Sequence, residues 1–487
     1  MTNFEMRIRS YSLAVPTLLC TMGLGACGGT SSGTQAGPPH PIPTIQALSP
    51  NSSKLGGPGF TLSMVGTHFV AGATVHWNGT SLKPKTRSAN LMTVEIPASA
   101  LSTAGPDVIT VVNPGPGGGP SNAMNFNVPC VIDPPAPASA QTKARVGAFY
   151  FDGWSGPLTG FHFQGLPLGP YQDRQPLSGW QDSSTCAMEQ QLAWAHNFGI
   201  NFFIFDWYFN AEIINPGENL NSALQITHTL PDRHGMQFAI MYVNGSPFNV
   251  GPADWAATVN EWAGYMTDPA YVRVNGKPLF VVLNIGEMRT VFPTSAEVQG
   301  ALAQLRAAAI AQGLPGVYVV GDFGMPDGVL GEDAESVTDG FDIAGTDGYD
   351  ATTIWGYPFV PTPVNGVVPY SGLSDAGHWT WDQATLHSPI PYVPAAMDGW
   401  DPRPWDEASS SGVLTWYSRT PQDVATLVSD AIDWANANPQ LRPEPSPTPP
   451  IVLITSWNEF GEGNHILPTA GEGTSFGDAL ATMLQSH

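Results

Sequence analysis

The segment Ile454-Thr455-Ser456-Trp457-Asn458-Glu459-Phe460-Gly461-Glu462-Gly463 closes an apolar run with two carboxylates three residues apart. In an extended strand that spacing puts the side chains on opposite faces, but Gly461 and Gly463 permit a turn that brings both acids to one side. Two carboxyls in one pocket can divide the work of glycoside hydrolysis: one protonates the departing oxygen, and the other activates a nucleophile or supplies negative charge. The bland alternative, a helix cap followed by a solvated glutamate, leaves the Trp-Asn-Glu combination without a purpose. Glu459 and Glu462 are therefore the candidate catalytic residues.

Such a pair needs a scaffold that presents strand ends to one pocket. Eight apolar runs occupy residues 146–154, 201–208, 238–245, 278–285, 317–323, 342–349, 392–400 and 451–459. Helical patterns, with apolar residues recurring at three and four, fall between several of them, as at 185–198, 255–266, 295–312 and 421–436. Strand alternating with helix implies a parallel sheet. Eight units without a Gly-rich phosphate fingerprint after the first strand predict an α/β fold of the (β/α)8 barrel type over residues 145–487.

The active site of such a barrel lies at the C-terminal ends of its strands. Reading those ends adds Tyr150, Asp152 and Trp154 from the first run, Asp206 from the second and Tyr242 from the third. The sixth adds Asp347 and Tyr349, the seventh Trp400 and Asp401, and the last Trp457 and Asn458. Rings that stack on sugar faces beside carboxylates or amides that bind hydroxyls make these the candidate substrate contacts. For Asp206 and Asp347 the competing reading is a carboxylate satisfied by barrel backbone amides. Of the 15 Trp, all but Trp77 lie in this part of the chain, which favours a carbohydrate over other substrates. His465, just beyond the pair, is either a substrate contact or a structural loop histidine.

The chain begins differently. Arg7 and Arg9 precede a mostly apolar stretch from Leu13 to Ala26, too short to span a bilayer and matched to a signal-peptide core. It ends in Leu24-Gly25-Ala26-Cys27, which resembles the bacterial lipobox; the resemblance implies export and lipidation of Cys27, so residues 1–27 are set aside from the fold. Residues 28–41 are a small, polar, Pro-rich tether. Residues 42–128 carry short β-type runs (FTLSMVG, ATVHWNG, MTVEIP, DVITVVN, MNFNV) separated by turn residues, predicting a small β-sandwich. Residues 129–144 form a second Pro-rich linker. Of the four cysteines, Cys20 and Cys27 belong to the signal; Cys130 and Cys186 remain, either bridged or as two thiols.

Composition narrows the partners. A formal charge of -23 with only 17 Lys and Arg argues against nucleic acid, whose binding draws on cations that neutralise phosphates. No closely spaced Cys and His suggest a zinc site, and paired-carboxylate chemistry requires no organic cofactor. The expected partners are an oligosaccharide or polysaccharide substrate and, through the lipid on Cys27, a cell-envelope membrane.

Two resemblances sharpen this reading. Residues 42–128 resemble the IPT/TIG immunoglobulin-like family in Ile45–Pro50, Gly56-Gly57, Val65–Phe69, Gly72–Val75 and Val111–Gly115. The motif W-N-E-F-G-E-G resembles the last-strand motif of glycoside hydrolase family 99 and its WbsX-like relatives, and also that of family 71. Phe149–Trp154, Met397–Arg403 and Arg419–Pro421 agree, and the likeness covers about residues 145–470. Family 99 implies an α-mannoside-cleaving, retaining enzyme in which Glu459 is the base on the sugar 2-hydroxyl and Glu462 the acid. Phe460-Gly461 stands where that family more often has Trp-His. Family 71 implies an α-1,3-glucan and inversion. The rival readings are a WbsX-like polysaccharide-associated protein and a non-catalytic carbohydrate-binding surface protein.

Overall fold

A computed structural model describes residues 38–102, 105–128, 143–158, 160–166, 169–323, 334–357, 366–405 and 415–486. Residues 1–27, where the signal segment and the lipidation of Cys27 are expected, and most of the second linker, including Cys130, lie outside the described residues. Cys186 is disulfide-bonded.

The N-terminal unit is a sandwich of two antiparallel sheets. One holds strands Thr44–Ser49, Phe60–Thr67, Leu91–Ile96 and Thr86–Arg87; the other is built around Gly105–Asn113, which pairs with Thr74–Trp77 and Met124–Val128. Inward residues alternate along the strands, as the period of two requires: Leu62 and Met64 face Val75, Trp77, Ile109 and Val111 in one buried cluster. Trp77 packs on Phe126 at 5.1 Å between ring centroids and belongs to this core.

The C-terminal unit is the expected parallel barrel. Its strands are β1 (Arg145–Tyr150), β2 (Phe202–Trp207), β3 (Gln237–Tyr242), β4 (Lys277–Val282), β5 (Tyr318–Asp322), β6 (Ala351–Thr353), β7 (Ala395–Met397) and β8 (Ile451–Thr455). β1 to β6 pair in parallel in chain order, β7 pairs in parallel with β8, and β8 pairs with β1. The β6–β7 seam closes just ahead of β7: Thr352 N–H donates to Pro391 O at 2.9 Å, and Val393 N–H donates to Thr352 O at 2.8 Å. Helices α1 (Thr185–Asn197), α2 (Ser222–Thr229), α3 (Pro252–Tyr265), α4 (Ser295–Ala311), α5 (Ala334–Asp347), α6 (Ser371–His387), α7 (Pro421–Ala437) and α8 (Ser475–Ser486) accompany the strands. Strands buried on both faces read as continuous apolar runs, which is why the sequence shows them so plainly.

One run was assigned to the wrong element. Residues 342–349 are the end of α5 and the turn after it, not the sixth strand. Phe341, Ala344 and Asp347 recur at helical spacing and are buried, Gly348 at φ +81° follows the helix end, and β6 begins only at Ala351. Asp347 and Tyr349 therefore sit at the entrance of β6, the end of the barrel opposite to the predicted site. No helix among the described residues is long and apolar enough to cross a membrane.

Candidate active site

After β8 the chain makes a tight hairpin. Asn458-Glu459 pairs antiparallel with Asn464-His465, and residues 460–463 form the turn that separates the two glutamates. Two glycines make the turn possible. Gly463 has φ +73°, and at Gly461 a Cβ would stand 1.9 Å from the Trp405 ring, so only glycine lets that indole lie flat on the backbone. The Ser456 hydroxyl accepts from Glu459 N–H at 3.0 Å and donates to Asn464 O at 2.8 Å, stitching the hairpin base together.

Both carboxyls are enclosed, and one oxygen of each, Oε2, makes no hydrogen bond to a described group. Burial, followed by the charges of Glu462 and Asp206, holds the Glu459 carboxyl well above the usual carboxylate range. Burial lifts Glu462 to about 7. Asp206, at the end of β2, is raised to about 8 by burial and by Glu462; its Oδ2 accepts from the Tyr208 hydroxyl at 3.1 Å, and its Oδ1 is unpartnered. Two carboxyls on the β8 hairpin and one at the end of β2 thus feel one another's charge. Like charges so placed cannot all ionise at neutral pH, so the cluster keeps at least one proton.

The other candidates divide between this cluster and the core. Asp152 is fully buried, accepts from the backbone amides of Ala223 and Leu224, and is pushed upward by burial and by Asp182. Tyr150 packs between Phe203 and Phe205 and donates its hydroxyl to the Met188 sulfur at 3.2 Å. Trp154 lies in an aromatic cluster with Phe151, Phe163, Trp180 and Phe460. Tyr242 accepts from Val250 N–H at 2.6 Å and packs on Trp262. Trp457 is buried against Phe203 and donates its indole N–H to Gln191 at 3.0 Å. These four rings are core, not sugar platforms, because side chains filling a closed eight-stranded barrel leave no exposed face. Trp400 is partly buried against the same core.

Asn458 also changes role. Its Oδ1 accepts from Phe151 N–H and its Nδ2 donates to Phe151 O, both at 2.8 Å, while its own carbonyl accepts from the Trp154 indole at 2.7 Å. It staples the β1 exit to the glutamate hairpin and is itself fully buried. Asn458→Ala strands two buried backbone groups of Phe151 and is expected to cost about 2 to 4 kcal/mol. Thermal unfolding checks this; an unchanged melting temperature refutes the staple.

Away from the site, Asp347 is clamped by Arg289 through two hydrogen bonds, 2.6 and 2.8 Å, and the buried Tyr349 ring lies beside Gly321. Asp401 lies next to the hairpin: its N–H donates to Glu462 O, and its carboxylate is held by Arg174 and Arg403, which keep it below the usual range although burial opposes them. His465 is buried; its Nε2 meets Arg419 and Glu472 at 3.1 Å, and burial and Arg419 push it down to about 4, which favours the neutral ring.

Sequence reading missed Asp182, raised by burial to about 6 and accepting from Trp154 N–H, as well as Arg174 and Glu472. They sit in irregular loops where no periodicity marks them. Among the described residues no three His, Cys, Asp or Glu side chains converge as a metal site.

Comparison with known proteins bears on the two units separately. The family model described as IPT/TIG domain matches residues 43–128. The N-terminal sandwich is an IPT/TIG domain. No curated protein matches the chain. Among solved structures, a GH99 endo-alpha-mannosidase from Bacteroides thetaiotaomicron is similar over 70% of this chain and 97% of its own, with 14% identity and a TM-score of 0.45. A family 1 β-glucosidase from Thermotoga maritima is similar over 72% and 99%, with 11% identity and a TM-score of 0.38.

Proposed function

We propose that the barrel following the IPT/TIG domain is a glycoside hydrolase that cleaves α-linked oligosaccharide or polysaccharide, with Glu459 and Glu462 as its acid/base pair. The observation that carries this reading is the pair itself: two enclosed carboxyls on one hairpin at the exit of β8, each with an oxygen that no described group satisfies, and with raised proton affinity. Buried polar atoms without partners are costly in a core, and a site that receives sugar hydroxyls and a glycosidic oxygen explains them. The W-N-E-F-G-E-G motif supports an α-mannoside or α-1,3-glucan as substrate, and Asp206 with Tyr208 offers a hydroxyl-binding group beside the pair. The apolar segment ending at Cys27 supports an exported, lipid-anchored enzyme of the cell envelope.

Incubation of the protein with α-mannans, α-1,3-glucan and other α-linked polysaccharides, followed by product analysis, tests activity and substrate together. Release of shorter saccharides is expected, with a bell-shaped pH dependence. On the acid side both glutamates are protonated and the base is lost; on the alkaline side both ionise and the acid is lost. Absence of hydrolysis across all these substrates, with the protein folded, would overturn the reading.

A further inference from the structure

A cavity of about 610 Å³ opens beside the glutamate hairpin, between the loops that follow β1, β7 and β8. It shares Gly463 with the hairpin, and its wall includes Tyr171, Arg174, Asp401, Arg403, Arg419 and Glu472. Three arginines on one wall are conspicuous in a chain with 17 basic residues and a formal charge of -23.

Their contacts are unevenly matched. Arg419 is paired with Glu472, Nη2 to Oε2 at 2.9 Å, beside His465, whose neutral form burial and Arg419 favour. Asp401 alone faces two guanidinium groups: Arg174, and Arg403 with Nε and Nη2 at 2.6 and 2.7 Å. One enclosed carboxylate thus serves two cations. Asp173, the remaining acid of the lining, is exposed and hydrogen-bonds none of the three among the described residues. Burial is the largest influence on Arg174 and lowers its proton affinity, Arg419 and Arg403 acting in the same direction and Asp401 and Asp173 against it.

Arg403, which shares the Asp401 carboxylate, is also oriented. The Arg403 guanidinium lies 4.2 Å from the centroid of Trp416 and 5.5 Å from that of Tyr171, which fix its plane. Its Nη1 makes no hydrogen bond among the described residues, and about a third of its side chain is exposed. A planar fork with an open edge, flanked by a tyrosine ring in a cavity large enough for a sugar, matches a carboxylate carried on a pyranose.

We propose that this cavity is a binding subsite for a uronic acid residue, with Arg403 taking its carboxylate. Its placement beside Glu462 makes it a neighbouring subsite of the cleaved chain, and that part rests on the glycosidase reading above. The overall acidity of the protein disfavours a densely charged polyanion, but a single carboxylate on an otherwise neutral repeat needs only this local cation.

Calorimetric titration of the full chain with methyl α-D-glucuronide, methyl α-D-glucoside and sodium acetate tests the proposal without any substitution. The glucuronide is expected to bind about 10-fold or more tightly than either of the others at low salt, as one charge-assisted hydrogen bond provides. Arg403→Gln should erase the preference, whereas Glu459→Gln should keep it, because the glucuronide occupies the cavity and not the glutamate pair. Equal affinities for the two glycosides, acetate binding as well as the glucuronide, or a preference unchanged in Arg403→Gln or lost in Glu459→Gln, each overturns it. The first comparison stands even if Arg403→Gln fails to fold. Hydrolysis is read separately: a protein that cleaves no α-glycoside yet prefers the glucuronide keeps this cavity and loses the proposed activity.

Discussion

Glu462→Gln is expected to lower kcat on a natural α-glycoside by about 10² to 10⁴ and to spare much of the rate on the matching glycosyl fluoride. An alkoxide leaves poorly without a proton, so removal of the acid is felt in full on the natural bond. Fluoride departs with little help and bypasses the lost group. Glu459→Gln should instead be slow on both substrates, because a base acting on the sugar itself is needed whatever leaves.

The electrostatics make this a demanding test. In the protein alone burial raises both carboxyls, that of Glu459 with the added charges of Glu462 and Asp206, so burial by itself assigns the proton to neither member of the pair. A sugar hydroxyl donating to Glu459 favours its ionised form, and a glycosidic oxygen accepting from Glu462 favours its protonated form, so substrate contacts divide the roles. If Glu459→Gln keeps its rate on the fluoride while Glu462→Gln is slow on both substrates, the roles are reversed. The two variants share one fold and differ in one carboxyl each, so the comparison is internal.

What was legible in the sequence follows the same physics. Seven of the eight barrel strands were visible because strands covered on both faces must be apolar throughout, and the glutamate pair was visible because polar residues interrupt the last of them. The sixth strand was not, since Ala351–Thr353 is Ala-Thr-Thr and not an apolar run, and the preceding helix end, with Ile343 and Ala344, imitates a strand. The aromatic candidates failed for a different reason. Tyr150, Tyr242 and Trp457 lie in or next to strands, where alternation does not say whether a ring faces the pocket or a packed layer; that depends on neighbours such as Met188, Val250 and Gln191 from distant segments. Asn458 looked like a ligand-binding amide because its use by the Phe151 backbone, more than 300 residues earlier, leaves no local trace.

Arg174 shows how much of the site depends on such distant contacts, and its removal is the second large effect expected. Its Nη1 donates to Phe460 O at 2.7 Å and to Asp401 O at 3.1 Å, and its Nη2 binds the Asp401 carboxylate. Phe460 is the residue next to Glu459 in the glutamate hairpin, and the Asp401 N–H holds the carbonyl of Glu462, so one guanidinium braces the turn from both sides. Arg174→Met preserves length and apolar packing but leaves two backbone carbonyls short of a donor and Asp401 with Arg403 alone. A loss of about 3 to 5 kcal/mol is expected, the range for breaking a buried ion pair from one side. Activity measured well below the lowered melting temperature should fall as well, because the glutamates lose their fixed separation. Arg174→Lys, a point charge without the fork, should lie between the parent and the methionine variant. A methionine variant with parental melting temperature and parental kcat would show that the hairpin holds its shape without this brace.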